Sequence, residues 1–119
     1  MRSKSEARPY TVIYDPNAVG ELVNAVKSKD AHRAIFNAVM KLSELGDHLE
    51  PPHMKPLQGA TGLRELRPKQ GRSDWRVIYR RSGSLYVILA VDRHANFAAL
   101  IARAQMRAAQ YDAPTLEFR

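Results

Sequence analysis

Three short strand-like segments, Leu63–Arg67, Asp74–Arg81 and Leu85–Val91, follow one another across polar, turn-length gaps. Gly71 with its polar neighbours and Ser82-Gly83-Ser84 suit tight reversals, so the segments read as an antiparallel three-strand meander. Such a sheet is stable only when another layer covers its apolar side. That requirement sets what the rest of the chain has to supply.

Helical periodicity provides the cover. Tyr10–Tyr14 reads as a short strand. Asp15-Pro16 then looks like an N-cap with proline in the first turn, and Val19, Leu22, Val23 and Val26 repeat at helical spacing to about Lys29. Asp30 can cap a second helix with the stripe Ala31, Ala34, Ile35, Ala38, Val39, Leu42 and Leu45, closed by Gly46. Joined almost without a loop, the two helices form a hairpin or bend sharply. Gly46–Gly62 holds three prolines and two histidines without periodicity, and reads as a long surface connection. Asn96 can cap a last helix carrying Phe97, Leu100, Ile101, Ala104 and Ala108, stopped by Asp112-Ala113-Pro114. The order predicts an α+β fold: N-terminal strand, helical hairpin, three-strand antiparallel meander and C-terminal helix, with the helices on one face of the sheet. At 119 residues the chain is one domain, 1–119, with a polar N-terminal tail at 1–8 and a C-terminal tail at 113–119.

The net charge of +7 is unevenly spread. Lys55–Arg81 holds eight basic and two acidic side chains, while residues 1–54 balance. A field of that kind concentrates polyanions, and a nucleic acid is the partner it points to. The absence of cysteine excludes disulfides and thiolate metal sites. The first residues carry no apolar run of the secretory kind, and no window nears the roughly 18 apolar residues of a membrane span. A cytoplasmic protein with no membrane partner is expected.

Gly62-Leu63-Arg64-Glu65-Leu66-Arg67, followed by Trp75-Arg76-Val77-Ile78-Tyr79, resembles the RelE/ParE toxin superfamily, in the style of its HigB-like, or phage Gp49-like, branch. That branch reads Gly-Leu-x-Glu-Leu-Arg, a polar turn, then aromatic-Arg-Val-x-Tyr. Lys55-Pro56-Leu57 resembles its lysine-containing lead-in, and Ile101, Ala104, Arg107 and Tyr111 resemble its closing helix. The resemblance implies a RelE-like fold and the toxin of a type II toxin–antitoxin system. It further implies a metal-independent, ribosome-dependent mRNA endoribonuclease that inhibits translation. Partners would be the ribosome, mRNA and a cognate helix-turn-helix antitoxin of the HigA type, with no cofactor. Two rival readings are a ParE-like DNA gyrase inhibitor of the same fold and a non-catalytic RNA-binding relic. The chain departs from the branch after the final strand, where Leu89-Ala90-Val91-Asp92-Arg93-His94 replaces a Phe-x-Lys-Lys run.

Cleaving RNA without metal requires an aligned and deprotonated 2′-OH, stabilised phosphorane charge and a protonated leaving oxygen. Arginine suits the second task through its fixed fork of donors. Arg67 and Arg76, on neighbouring predicted strands, are candidates to grip one phosphate, although either could be a salt-bridge partner of Glu65 or Asp74. Lys55, Arg64, Lys69, Arg72, Arg80 and Arg93 are expected to hold the RNA backbone. His94, at the end of a predicted strand, is a candidate base because histidine titrates near physiological pH. Glu65 competes for that role. Trp75, Tyr79, Tyr86 and Tyr111 could stack on bases, or serve sheet and core. His48 and His53, in the long connection, make a poor metal site, and no metal is expected.

Overall fold

The computed structural model describes residues 9–60 and 62–112, and the tails expected at 1–8 and 113–119 lie outside these. Strand β1 is Thr11–Tyr14, helix α1 Pro16–Ala25 and helix α2 Lys29–Leu45. Then come β2 (Met54–Pro56), β3 (Arg64–Leu66), β4 (Trp75–Ser82), β5 (Leu85–Arg93) and α3 (Phe97–Asp112). The five strands form one sheet in the order β1-β5-β4-β3-β2. β2 to β5 are antiparallel neighbours, and β1 returns to pair in parallel with β5, Thr11 opposite Leu85 and Tyr14 opposite Ile88.

Two expectations are corrected. The connection from Gly46 to Gly62 contains a strand, β2, whose Met54, Lys55 and Pro56 pair with Leu66, Glu65 and Arg64. Three residues ending in proline are too few to show a period of two, and an edge position tolerates the missing N–H. The helices also cover both faces of the sheet, not one. α1 and α2 pack with Val77, Tyr79, Tyr86 and Ile88, whereas α3 packs through Leu100, Ala104 and Ala108 on Ile78, Val87, Leu89 and Ala90. The sign was available in β5, where Tyr86–Val91 is apolar at every position, as a strand buried on both sides must be. Leu89 is an extra residue against β4, because Ile78 pairs with Ala90 and Tyr79 with Ile88. The bulge turns both Leu89 and Ala90 toward α3.

Helix ends follow their chemistry. Asp15 caps α1 by accepting from the Asn17 N–H at 2.8 Å, and its other oxygen accepts from the Tyr111 hydroxyl at 3.0 Å. Ser28, rather than Asp30, caps α2 by accepting from the Ala31 N–H at 3.3 Å. Gly46 ends α2 with φ of 54°, and a Cβ there would meet the Tyr10 ring at 2.8 Å, so only glycine fits. Asn96 lies in a 3₁₀ turn before α3, and its amide donates to Asp92 at 3.0 Å.

β1 covers only the first half of the β5 edge, so the remainder needs other partners. The Asp15 N–H bonds the Ile88 carbonyl at 2.8 Å. Arg107 donates to the Leu89 carbonyl at 2.8 Å, and the Val91 N–H donates to Glu21 at 2.9 Å. Side chains from α1 and α3 thus complete the edge that β1 leaves open. Glu21 also holds Arg103 at 2.9 Å and Arg107 at 2.8 Å, and Arg103 bridges on to Asp92 at 3.0 Å. Burial would raise the Glu21 carboxyl, but bonds from Arg107 and Val91 and the nearby arginine charges hold it below its ordinary range. Asp92 is likewise lowered: burial opposes ionisation, but Asn96, the Arg93 N–H and Arg103 outweigh it.

Candidate nucleic-acid interface

The basic stretch divides according to what each side chain meets. Arg76 faces Glu65 diagonally across β3 and β4, Nε to Oε2 at 2.7 Å, as an ion pair without hydrogen-bond alignment. Both side chains are 6% exposed. The Arg76 Nη1 donates to the carbonyls of Ser73 at 2.6 Å and Trp75 at 2.8 Å, and Nη2 to that of Gly71 at 3.2 Å. Arg76 is therefore the post around which the 71–75 loop wraps, and its donors point inward. Against the expectation that Arg67 and Arg76 grip one phosphate, the Arg76 guanidinium is buried and already engaged by Glu65 and three backbone carbonyls.

Arg67 lies just past β3, its N–H donating to the His53 carbonyl at 2.9 Å. Its guanidinium rests on Gly71, where a Cβ would lie 2.7 Å from a terminal nitrogen, and Gly71 has φ of 94°. Arg67 and Arg76 thus approach Gly71 by different atoms, one over its Cα and the other at its carbonyl. Lys69 and Gln70 before it also have positive φ, 55° and 58°. Two non-glycine residues in the left-handed region mark a turn held by its surroundings.

A cavity of about 290 Å³ opens between α2 and this turn. Its floor includes Ala34, Ala38, Leu49 and Leu66, and its walls carry Arg33, Lys41, Arg67, Lys69, Arg72 and His53, with the amides of Asn37 and Gln70. No carboxylate lines it. Among the described residues none of its Lys and Arg side chains forms an ion pair. Arg33, Asn37 and Lys41 were not singled out from sequence, yet their i, i+4, i+8 spacing puts them along one line of α2. That spacing was the available signal.

Lys69 and Arg72 also line a second recess with Trp75 and Arg93, where the carboxylates of Asp30 and Asp74 offset part of the positive charge. The Arg93 guanidinium stands 5.1 Å from the Trp75 ring centroid, in cation–π contact. The His94 N–H donates to the Asp74 carbonyl at 2.6 Å, and its exposed imidazole lies 5.4 Å from the Phe97 ring. Lys55 is exposed on the β2 edge opposite Glu65.

Two predicted backbone contacts, Arg64 and Arg80, lie elsewhere. Arg64 binds Asp47 at 2.9 Å, and Arg81 binds the other oxygen of the same carboxylate. The Tyr86 hydroxyl donates to Asp47 at 2.8 Å. That bond, with those from Arg64 and Arg81, lowers the Asp47 carboxyl against partial desolvation. Burial, and then Asp47, push the Tyr86 hydroxyl up to about 12, and burial takes Tyr79 to about 12 against the pull of Arg64. Arg80 lines a small recess beside Ala60, Leu63 and α3. Of the aromatics, Tyr79 and Tyr86 are core, Tyr111 serves Asp15, and Trp75 alone borders the basic recesses. Among the described residues no three His, Asp or Glu side chains gather as a metal cluster, and no helix is long and apolar enough to cross a membrane.

This sheet and helix arrangement is a RelE/ParE-type toxin fold. A chain of the chromosomal ParDE toxin–antitoxin system from P. aeruginosa matches with TM-score 0.55 and 18% identity, covering 72% of this chain and 97% of that one. A chain of the E. coli DinJ-YafQ toxin–antitoxin complex matches with TM-score 0.55 and 21% identity, covering 73% and 94%. The profile of the family described as Phage derived protein Gp49-like (DUF891) matches residues 26–95. The chain belongs to this Gp49-like family, and it shares the fold of the two toxin–antitoxin chains. No curated protein matches the sequence.

Proposed function

We propose that this chain is the toxin of a type II toxin–antitoxin system and cleaves mRNA on the ribosome. One observation carries the reading: a basic surface that runs from the α2 cavity through Lys69 and Arg72 to Trp75 and Arg93. Such a surface holds a single-stranded backbone electrostatically and offers one ring for base stacking.

In this reading Arg67 stabilises the charge that develops on the scissile phosphate. Lys55, Lys69, Arg72 and Arg93 position the backbone. His94, exposed at the end of β5, takes the proton of the 2′-OH as that oxygen attacks phosphorus. The bond to the 5′-oxygen then breaks, leaving a 2′,3′-cyclic phosphate and a 5′-hydroxyl protonated by solvent. Arg76 and Glu65 act as positioning residues through the 71–75 loop, since each neutralises the other in the interior. The toxin would work in the cytoplasm, restrained by an antitoxin of the HigA type.

Induced expression followed by mapping of mRNA 5′ ends tests the proposal. Arg67→Ala and His94→Ala are each expected to reduce cleavage by at least about 100-fold. Cleavage and growth arrest left intact by both substitutions overturn the assignment. The fold shared with the ParDE chain supports a gyrase-directed alternative, for which induced DNA damage signalling with intact mRNA is the expected result.

A further inference from the structure

The cavity under α2 has more chemistry than backbone tracking requires. Its cations come from two separate elements, Arg33 and Lys41 from the helix and Arg67, Lys69 and Arg72 from the left-handed turn. A flat basic patch would serve a sliding backbone, whereas this one is concave and has an apolar floor of Ala34, Ala38, Leu49 and Leu66. At about 290 Å³ it is near the lower size limit of small-ligand cavities. Asn37 and Gln70 place donor and acceptor amides beside that floor, as needed to read a base edge. The turn that carries Lys69 and Gln70 is held in a costly backbone conformation, which is a cost the fold bears where side chains must be aimed.

We propose that this cavity is a nucleotide subsite: it takes one unpaired RNA nucleotide, its base on the alanine floor and its two flanking phosphates between the α2 and turn cations. The proposal rests on the reading of this end of the molecule as RNA-facing, and it adds that a single nucleotide is drawn out of the strand there. An acidic protein segment would also satisfy the charges, and it is the competing occupant that the titration below separates.

The test uses the purified full chain, titrated calorimetrically at about 0.15 M salt with a 2′-O-methyl RNA dinucleotide carrying a 5′-phosphate. The probe lacks the attacking hydroxyl, so binding is read apart from cleavage. Arg33→Gln/Lys41→Gln is expected to weaken binding about tenfold or more. Lys27→Gln/Lys29→Gln, which removes equal charge from exposed positions outside the cavity, is expected to change it less than about twofold. Equal losses in the two variants overturn the proposal, as does no measurable binding by the wild-type chain. So does a glutamate-rich peptide that binds as tightly as the dinucleotide and is lost in the same variant. Binding that follows the expected pattern in a chain that cleaves no mRNA keeps the subsite and removes only the ribonuclease reading.

Discussion

The Arg76 guanidinium lies 2.7 Å from the Glu65 carboxylate, with each side chain 6% exposed. Neither group can be removed alone without stranding the other's charge in the interior. Glu65→Ala or Arg76→Ala is therefore expected to destabilise the chain by about 3–5 kcal/mol, while Glu65→Leu/Arg76→Met recovers most of the loss. Urea denaturation of the single and double variants measures this. Hydrogen exchange should report earlier opening of residues 71–75, because three of their carbonyls lose the Arg76 donors.

Gly71→Ala combines two costs, a φ of 94° and a Cβ 2.7 Å from the Arg67 guanidinium. The backbone term alone is about 1–2 kcal/mol. Displacement of Arg67 adds a loss of RNA affinity, expected at about tenfold. Gly83→Ala, with φ of 62° and nothing within 4 Å, carries the backbone cost without the affinity loss. Paired denaturation and RNA-binding titrations separate the two effects.

Asp47, Glu21 and Asp92 all have lowered carboxyl pKa values in the folded chain. Their stabilisation is present above the unfolded carboxylate values, near pH 4, and is lost as pH falls through the folded ones. A urea midpoint that is flat at neutral pH and drops below about pH 4 is expected. Asp47→Asn should shallow that drop.

At the alkaline end the sign reverses. Tyr79 and Tyr86 ionise near 12 in the folded chain but near 10 when unfolded. Stability is full below pH 10 and declines between about pH 10 and 12. Tyr86→Phe should reduce the decline, read as a flatter midpoint over that interval.

Much of the fold was legible locally. Asp15-Pro16 and Gly46 mark helix ends by backbone chemistry that needs no tertiary partner, and the turns at Gly71 and Gly83 separate strands much as expected. β2 was not legible, since three residues on an edge carry no readable alternation. The site was half legible. Arg67, Lys69 and Arg72 line the cavity, but Arg33 and Lys41 lay in a charge-balanced region where no local excess drew notice.

Alone, the sequence determined the order of the longer elements, the apolar stripes, the concentration of charge and the motif of the Gp49-like family, because these depend on neighbours within a few residues. The tertiary structure decided which charges stay available to a partner. Arg76 reads as a partner of Arg67 at the phosphate and Arg64 as a backbone contact in the sequence, yet Glu65 takes Arg76, and Asp47 takes Arg64, as ion-pair partners. Pairing and desolvation are set by contacts between elements, and those contacts leave the Arg67 guanidinium at a cavity whose other wall comes from α2.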